Sequence, residues 1–164
     1  MISAIVVMGV SGCGKSTLAQ ALAADLGWTF IEGDSLHPPE NVARMAAGIP
    51  LDDAARQPFL RNVAQAIVEA DRGAVASCSS LKRAYRDLIR QKAGDVLFAL
   101  PQLSRHALQA RMAARPGHFM PTSLLDSQFA TLEMPGADER AVVLDGALPI
   151  ATLVAQVRER LDHT

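Results

Sequence analysis

A chain of 164 residues with 49% hydrophobic content can bury one core unaided, and its two cysteines, Cys13 and Cys78, show neither metal-ligand spacing nor a disulfide framework, so both are expected to be free thiols. A net charge of −1 gives no electrostatic reason for a nucleic-acid or anionic-membrane partner, and no apolar run approaches the ~18 residues of a membrane span. The first strand begins at once and leaves no room for a signal peptide, so one soluble, cytoplasmic domain over residues 1–164 is expected.

Residues 2–8 are a short apolar, β-branched run that predicts a buried strand. They lead into Gly9-Val10-Ser11-Gly12-Cys13-Gly14-Lys15-Ser16-Thr17, which fits the pattern G-x-x-x-x-G-K-[ST], and residues 18–26, rich in Ala and Leu, predict a helix behind it. Strand, glycine loop and helix in that order wrap a phosphate chain. The glycines let backbone N–H groups turn inward, and the helix N-terminus adds the positive end of its dipole. Lys15 is placed to reach the β- and γ-phosphates and the Ser16 hydroxyl to hold Mg²⁺, so the run from Gly9 to Thr17 is expected to bind a nucleoside triphosphate.

Residues 28–31 predict a second strand, followed by Glu32-Gly33-Asp34-Ser35-Leu36-His37-Pro38. Ligands of parallel sheets gather at the carboxyl ends of the strands. Asp34 there is a candidate to accept the proton of an attacking hydroxyl or to help hold Mg²⁺ through water, with a helix-capping acid as the plainer alternative. His37 is a candidate to hydrogen-bond a polyol hydroxyl, or else a loop residue.

Phe59, Leu60, Val63 and Ile67 mark one face of a helix, and residues 74–78 predict a third strand. That strand runs into Ser77-Cys78-Ser79-Ser80 without the Asp-Glu of a mechanical ATPase, and no guanine-reading N-K-x-D element occurs. Ser80 is expected to cap a helix marked by Leu81, Tyr85, Leu88 and Ile89, which puts Lys82 and Arg83 in its first turn. Cations there oppose the helix dipole unless they meet an anion, either a phosphate or an acidic substrate. The alternative is a solvated basic face continued by Arg86, Arg90 and Lys92; no aromatic residues alternate with these charges as a nucleic-acid surface would require.

Residues 96–100 predict a fourth strand, and Ser104 an N-cap for a helix ended by Pro116-Gly117. Arg111 and Arg115 stand four apart on that helix, ahead of the hinge-like Gly117-His118-Phe119-Met120-Pro121. They suit a lid over residues 111–121 that brings positive charge to a transferring phosphoryl group; ordinary surface arginines are the alternative. Residues 141–144 predict a last strand and 150–161 an amphipathic helix. Strands alternating with helices imply an α/β fold whose parallel sheet is covered on both faces. Polar residues after the second and third strands, together with a lid, favour a small-molecule kinase over a GTPase or a mechanical ATPase.

Together these motifs resemble the gluconokinase family. The resemblance is carried by the phosphate loop; by Gly33-Asp34-Ser35-Leu36-His37-Pro38 with Asn41, Met45 and Gly48-Ile49-Pro50-Leu51-Asp52-Asp53; by Cys78-Ser79-Ser80-Leu81-Lys82-Arg83-Ala84-Tyr85-Arg86-Asp87-Leu88; and by Gly117-His118-Phe119-Met120-Pro121 with Ser127-Gln128-Phe129. It implies ATP- and Mg²⁺-dependent phosphorylation of D-gluconate on its terminal hydroxyl. It also implies a P-loop fold of the adenylate and shikimate kinase type, with five parallel strands ordered 2-3-1-4-5, and a homodimer. Asp34 and His37 would then meet substrate hydroxyls, and Arg44, Lys82, Arg83 and Arg86 are candidates for the cation that reads the carboxylate. The chain departs from the family at Ala55-Arg56 and Pro58-Phe59-Leu60, where Asp-Arg and then Pro-Trp-Leu are common, and at Arg44, where Lys is frequent. Those changes are expected to alter packing beside the substrate loop and leave the chemistry intact. A shikimate-like acceptor, or a nucleotide-binding regulator without transfer activity, are the competing readings.

Overall fold

A computed structural model describes residues 2–114 and 122–163. Its elements alternate as the hydrophobic pattern requires: β1 (Ala4–Val7), α1 (Lys15–Leu26), β2 (Thr29–Glu32), a 3₁₀ turn (Gly33–Leu36), α2 (Pro39–Ala46), α3 (Asp53–Glu69), β3 (Ala74–Ser77), α4 (Arg83–Ala93), β4 (Val96–Gln102), α5 (Arg105–Ala113), α6 (Thr122–Thr131), β5 (Ala141–Asp145) and α7 (Ile150–Asp162). The strands form one five-stranded sheet in the order β2-β3-β1-β4-β5, every pair parallel.

Side chains of a strand alternate between faces, and β1 divides its residues accordingly. Ala4 and Val6 join Phe59, Leu60, Val63 and Ile67 of α3 and Tyr85 and Ile89 of α4 on one face. Ile5 and Val7 join Leu18 and Leu22 of α1 and Leu153 and Val157 of α7 on the other. Because both faces are covered, β1 is fully buried and its residues read as a continuous apolar run. A third, smaller cluster of Val10, Cys13, Leu81, Leu108 and Leu125 sits beyond the carboxyl end of the sheet. Both cysteines are free and buried.

Parallel pairing places the loops after β1, β2, β3, β4 and β5 along one edge. The register sets Glu32 opposite Ser77 and Val7 opposite both Ser77 and Ala99. Close approach there demands Gly33, because a Cβ at this position would lie 2.0 Å from the Ser77 carbonyl oxygen.

Candidate active site

The loop after β1 turns into α1 through Gly14, whose φ of 89° is a left-handed conformation that glycine adopts without strain. Among the described residues no side chain caps α1, and the helix carries no acid in its own first turn, so its leading N–H groups and dipole end face the loop. Lys15 folds back over the loop, with Nζ donating to the carbonyls of Gly9 at 3.0 Å and Val10 at 3.1 Å. Cys13 beneath it is buried, and burial pushes its thiol up despite the opposing field of Lys15, which makes it a packing residue.

The carboxylate beside the Ser16 hydroxyl is Glu32, which the sequence reading passed over. Ser16 Oγ donates to Glu32 Oε1 at 3.1 Å, and Ser77 Oγ donates to the same oxygen at 2.6 Å. Gly33 N–H in turn donates to Ser77 Oγ at 3.4 Å. The third strand carries no acid, but its terminal serine orients the acid of the second. Its one advance signal was the place of Glu32 directly after the predicted strand over 28–31 and before the glycine. A hydroxyl and a carboxylate form a hard oxygen donor set, which fits Mg²⁺.

Asp34 follows in the exposed 3₁₀ turn. Both Asp34 and Lys15 act electrostatically on the Cys78 thiol, so this acid and the phosphate loop share one neighbourhood. The His37 ring stacks on Phe59 with centroids 3.7 Å apart, and its Nδ1 meets Asn41 Nδ2 at 3.3 Å. Burial, helped by Arg56 and opposed by Asp34, pushes the His37 pKa below its ordinary 6.5, so the ring is neutral at pH 7. Phe59, one of the departures from the family pattern, is thus the surface on which His37 is held.

The cations divide. Lys82 Nζ pairs with Asp53 at 3.0 Å and sits 5.6 Å from the centroid of the Tyr85 ring. Arg56, at 5.5 Å from the same ring, donates Nε to the Leu51 carbonyl at 3.3 Å. The Tyr85 hydroxyl donates to Asp53, and this bond, followed by that from Lys82, lowers the Asp53 pKa. Lys82, Arg56, Tyr85 and Asp53 therefore form one polar wall beside His37; of these only Lys82 was a sequence candidate. Arg44 lies exposed on α2, in a separate groove of about 400 Å³ with Asn41, Asp52 and Pro58.

Three sequence expectations need correcting. Ser80 does not cap α4: the helix starts at Arg83, with Lys82 in the capping position, and Ser80 adopts a φ of 47°. The first-turn amide of Arg83 instead donates to Glu133 Oε1 at 3.0 Å. Arg83 is paired with Asp138 and not with a group of the wall, its guanidinium held at 2.6 Å and 2.9 Å. Arg86 is no substrate-facing cation. It is 0% exposed, makes a two-pronged pair with Glu139 (2.8 and 3.1 Å), and donates Nη1 to the carbonyls of Ser80 and Leu81. Burial without a partner would be prohibitive for a guanidinium, so Glu139 claims it and Arg86 braces the loop that carries Lys82.

Ser104 caps α5 as expected, accepting from Ala107 N–H at 3.1 Å. Arg111 near its end donates Nη2 to the Gly146 carbonyl at 3.1 Å and, with Gly14, Thr17, Pro101, Leu148 and Pro149, lines a cavity of about 270 Å³ beside the phosphate loop. Arg115 and the hinge-like stretch from Gly117 to Pro121 lie outside the described residues.

Residues 5–135 match the family model of an AAA domain. The gluconokinase of Gluconobacter oxydans (strain 621H) is 50% identical over 145 residues, covering 87% of this chain and 82% of that protein. The thermosensitive gluconokinase of Escherichia coli (strain K12) is 41% identical over 158 residues, covering 94% of this chain and 84% of that protein. Among solved structures, a gluconokinase from Sinorhizobium meliloti 1021 superposes with a TM-score of 0.90 at 46% identity, covering 98% of this chain and 92% of that one. Shikimate kinase from Aquifex aeolicus vf5 superposes at 0.61 with 11% identity over 98% of this chain and 96% of that one, a likeness of fold alone.

Proposed function

This chain belongs to the gluconokinase family, and on that premise we propose that it transfers the γ-phosphoryl group of ATP to the terminal hydroxyl of D-gluconate. One juxtaposition carries the reading at the level of geometry. The phosphate loop, with Lys15 and the Ser16–Glu32 pair, adjoins a wall where cations and neutral hydrogen-bonding groups stand side by side, as a polyol acid requires.

Nucleotide phosphates lie on the loop from Gly9 to Thr17, and the cavity between Arg111 and the connection of β5 to α7 takes the remainder of the nucleotide. Lys15 leaves the carbonyls of Gly9 and Val10 for the β- and γ-phosphates. Ser16, with Glu32 acting through water, would hold Mg²⁺, which supplies charge neutralisation across the phosphates when bound. His37 and Asp34 hold substrate hydroxyls, and Asp34 takes the proton of the terminal one. The oxygen of that substrate hydroxyl bonds to the γ-phosphorus as the bond from the γ-phosphorus to the β-phosphate bridging oxygen breaks, and the electron pair leaves on ADP. Arg111 and Arg115 add positive charge at the nucleotide. The carboxylate is read by Lys82 and Arg56 across the Tyr85 ring, with Asp53 holding Lys82 in place until an anion competes for it.

ADP release from MgATP should depend on D-gluconate in a panel with shikimate, nucleoside monophosphates, glucose and no acceptor. Release with a different acceptor would remove the substrate assignment, and release with none would make the protein an ATPase. Within the acceptor site, Lys82→Ala and Arg56→Ala should each raise the KM for gluconate about tenfold while kcat changes little, because a lost charge-assisted bond costs ground state and transition state alike. Asp34→Asn should do the reverse, lowering kcat by about 10²-fold or more. A gluconate KM unmoved in both cation variants would place the carboxylate elsewhere.

The homodimer and the cytoplasmic location implied by the family resemblance complete the proposal. Among the described residues no helix is long and apolar enough to cross a membrane. Sedimentation at the mass of one 17.5-kDa chain would reject the dimer.

A further inference from the structure

Gln128, on α6, is engaged with the phosphate loop through both ends of its carboxamide. Ser11 N–H donates to Oε1 at 2.7 Å, and Nε2 donates to Ser11 Oγ at 3.0 Å. The Ser11 amide belongs to the Val10–Ser11 peptide, whose carbonyl accepts from Lys15 Nζ at 3.1 Å and from Cys13 N–H at 3.4 Å. A peptide unit is planar, so a bond at its N–H fixes the direction of its C=O. Gln128 is presented from a firmly packed helix. Leu125 is buried with Val10, Cys13, Leu81 and Leu108, Phe129 packs against them, and Glu133 N–H just beyond the helix donates to the Leu81 carbonyl at 2.7 Å.

We propose that Gln128 is a positioning residue for nucleotide binding, clamping the Val10–Ser11 peptide so that the loop keeps its phosphate-binding shape when Lys15 exchanges the Val10 carbonyl for a phosphate. Lys15 cannot serve both partners fully. Once the ammonium moves, the peptide loses its charged donor on the carbonyl side and keeps only the long bond from Cys13 N–H at 3.4 Å there, so the 2.7 Å bond from Ser11 N–H to Gln128 becomes the main resistance to rotation. The Ser11 hydroxyl, held by Nε2, keeps the carboxamide in the orientation that accepts this N–H.

The test is ADP binding measured by titration calorimetry, which needs no acceptor, so its failure would leave the gluconate assignment standing and the reverse also holds. Gln128→Leu keeps the bulk and removes both bonds; the Kd for ADP should rise about 5–20-fold, as loss of two modest hydrogen bonds implies. The KM for MgATP should follow, while the KM for gluconate stays within about twofold, a split that general loosening of the fold would not produce. Ser11→Ala removes the hydroxyl bond alone and should cost about 2–4-fold in ADP affinity. Added to Gln128→Leu, it should cost less than about twofold more, since the two residues act as a unit. A folded Gln128→Leu protein with wild-type ADP affinity, full additivity in the double variant, or a parallel rise in the gluconate KM would each overturn the proposal. If Gln128→Leu does not fold, unchanged ADP affinity in Ser11→Ala overturns it, and a weakened one supports it.

Discussion

Lys15→Ala should reduce kcat by about 10³-fold or more while leaving the fold intact, because the proposed mechanism sets this ammonium against the charge of the β- and γ-phosphates. Among the described residues its bonds run to the carbonyls of Gly9 and Val10, both in the loop, so little of the core depends on it. Turnover by coupled assay, beside a thermal melt by circular dichroism, separates the two effects. A kcat within tenfold of the wild type would mean that the loop does not act on the transferring phosphate. Glu32→Gln provides the contrast. The amide can still accept from Ser77 and Ser16 but has lost its charge, so the Mg²⁺ concentration for half-maximal rate should rise while the gluconate KM holds. Tighter nucleotide binding on Mg²⁺ addition, measured by calorimetry, should shrink in the same variant; an unchanged Mg²⁺ effect would leave Glu32 a purely structural acid.

Glu139→Ala should produce the largest loss of stability, about 3–5 kcal/mol, since it strands a buried cation. The Glu139 side chain is 1% exposed and accepts from Arg86 Nε and Nη2, from Arg90 Nη2 at 2.7 Å and from Gly136 N–H at 2.8 Å. Among the described residues Glu139 is the acid paired with the fully buried Arg86 guanidinium, and without it that counter-charge is lost. The melting temperature should fall by about 10 °C or more. Replacing both partners, as in Arg86→Met with Glu139→Leu, should recover much of the loss, because it is the unpaired charge that is costly. Activity should register the damage as well, since Arg86 holds the carbonyls of Ser80 and Leu81 beside Lys82.

The same pair sets an acid limit. Burial alone would push the Glu139 carboxyl up, but the bonds from Arg86, Gly136 N–H and Arg90 outweigh it and bring the pKa from 4.5 to about 2. A carboxylate whose pKa is depressed by folding contributes stability above its unfolded value and loses it as pH falls through the folded one. The contribution is therefore complete above about pH 4.5 and disappears between there and about pH 2. In Glu139→Gln this part of the acid denaturation limb should be missing; an unchanged limb would show that other carboxylates govern it.

The phosphate loop, the five strands and most of the helices between them were legible in the sequence because each is local; α2 (Pro39–Ala46), short and mostly exposed, gave no such signal. A β-branched run, a glycine pattern or a three-and-four spacing is complete within about twenty residues, and one strand of such a sheet is apolar whatever its neighbours are. The strand order came from the family resemblance, not from periodicity. Side-chain pairing belonged to the tertiary structure alone. Whether Arg86 meets a substrate or a buried glutamate, whether Arg83 faces the wall or Asp138, and which acid stands beside Ser16 depend on residues far away in the chain. Ser77 reaches Glu32 across 45 positions, Arg86 reaches Glu139 across 53, and Ser11 reaches Gln128 across 117. A charged side chain can be satisfied by many partners at similar cost, so its local sequence does not choose among them. Packing chooses, by burying some of those groups and bringing particular partners within reach.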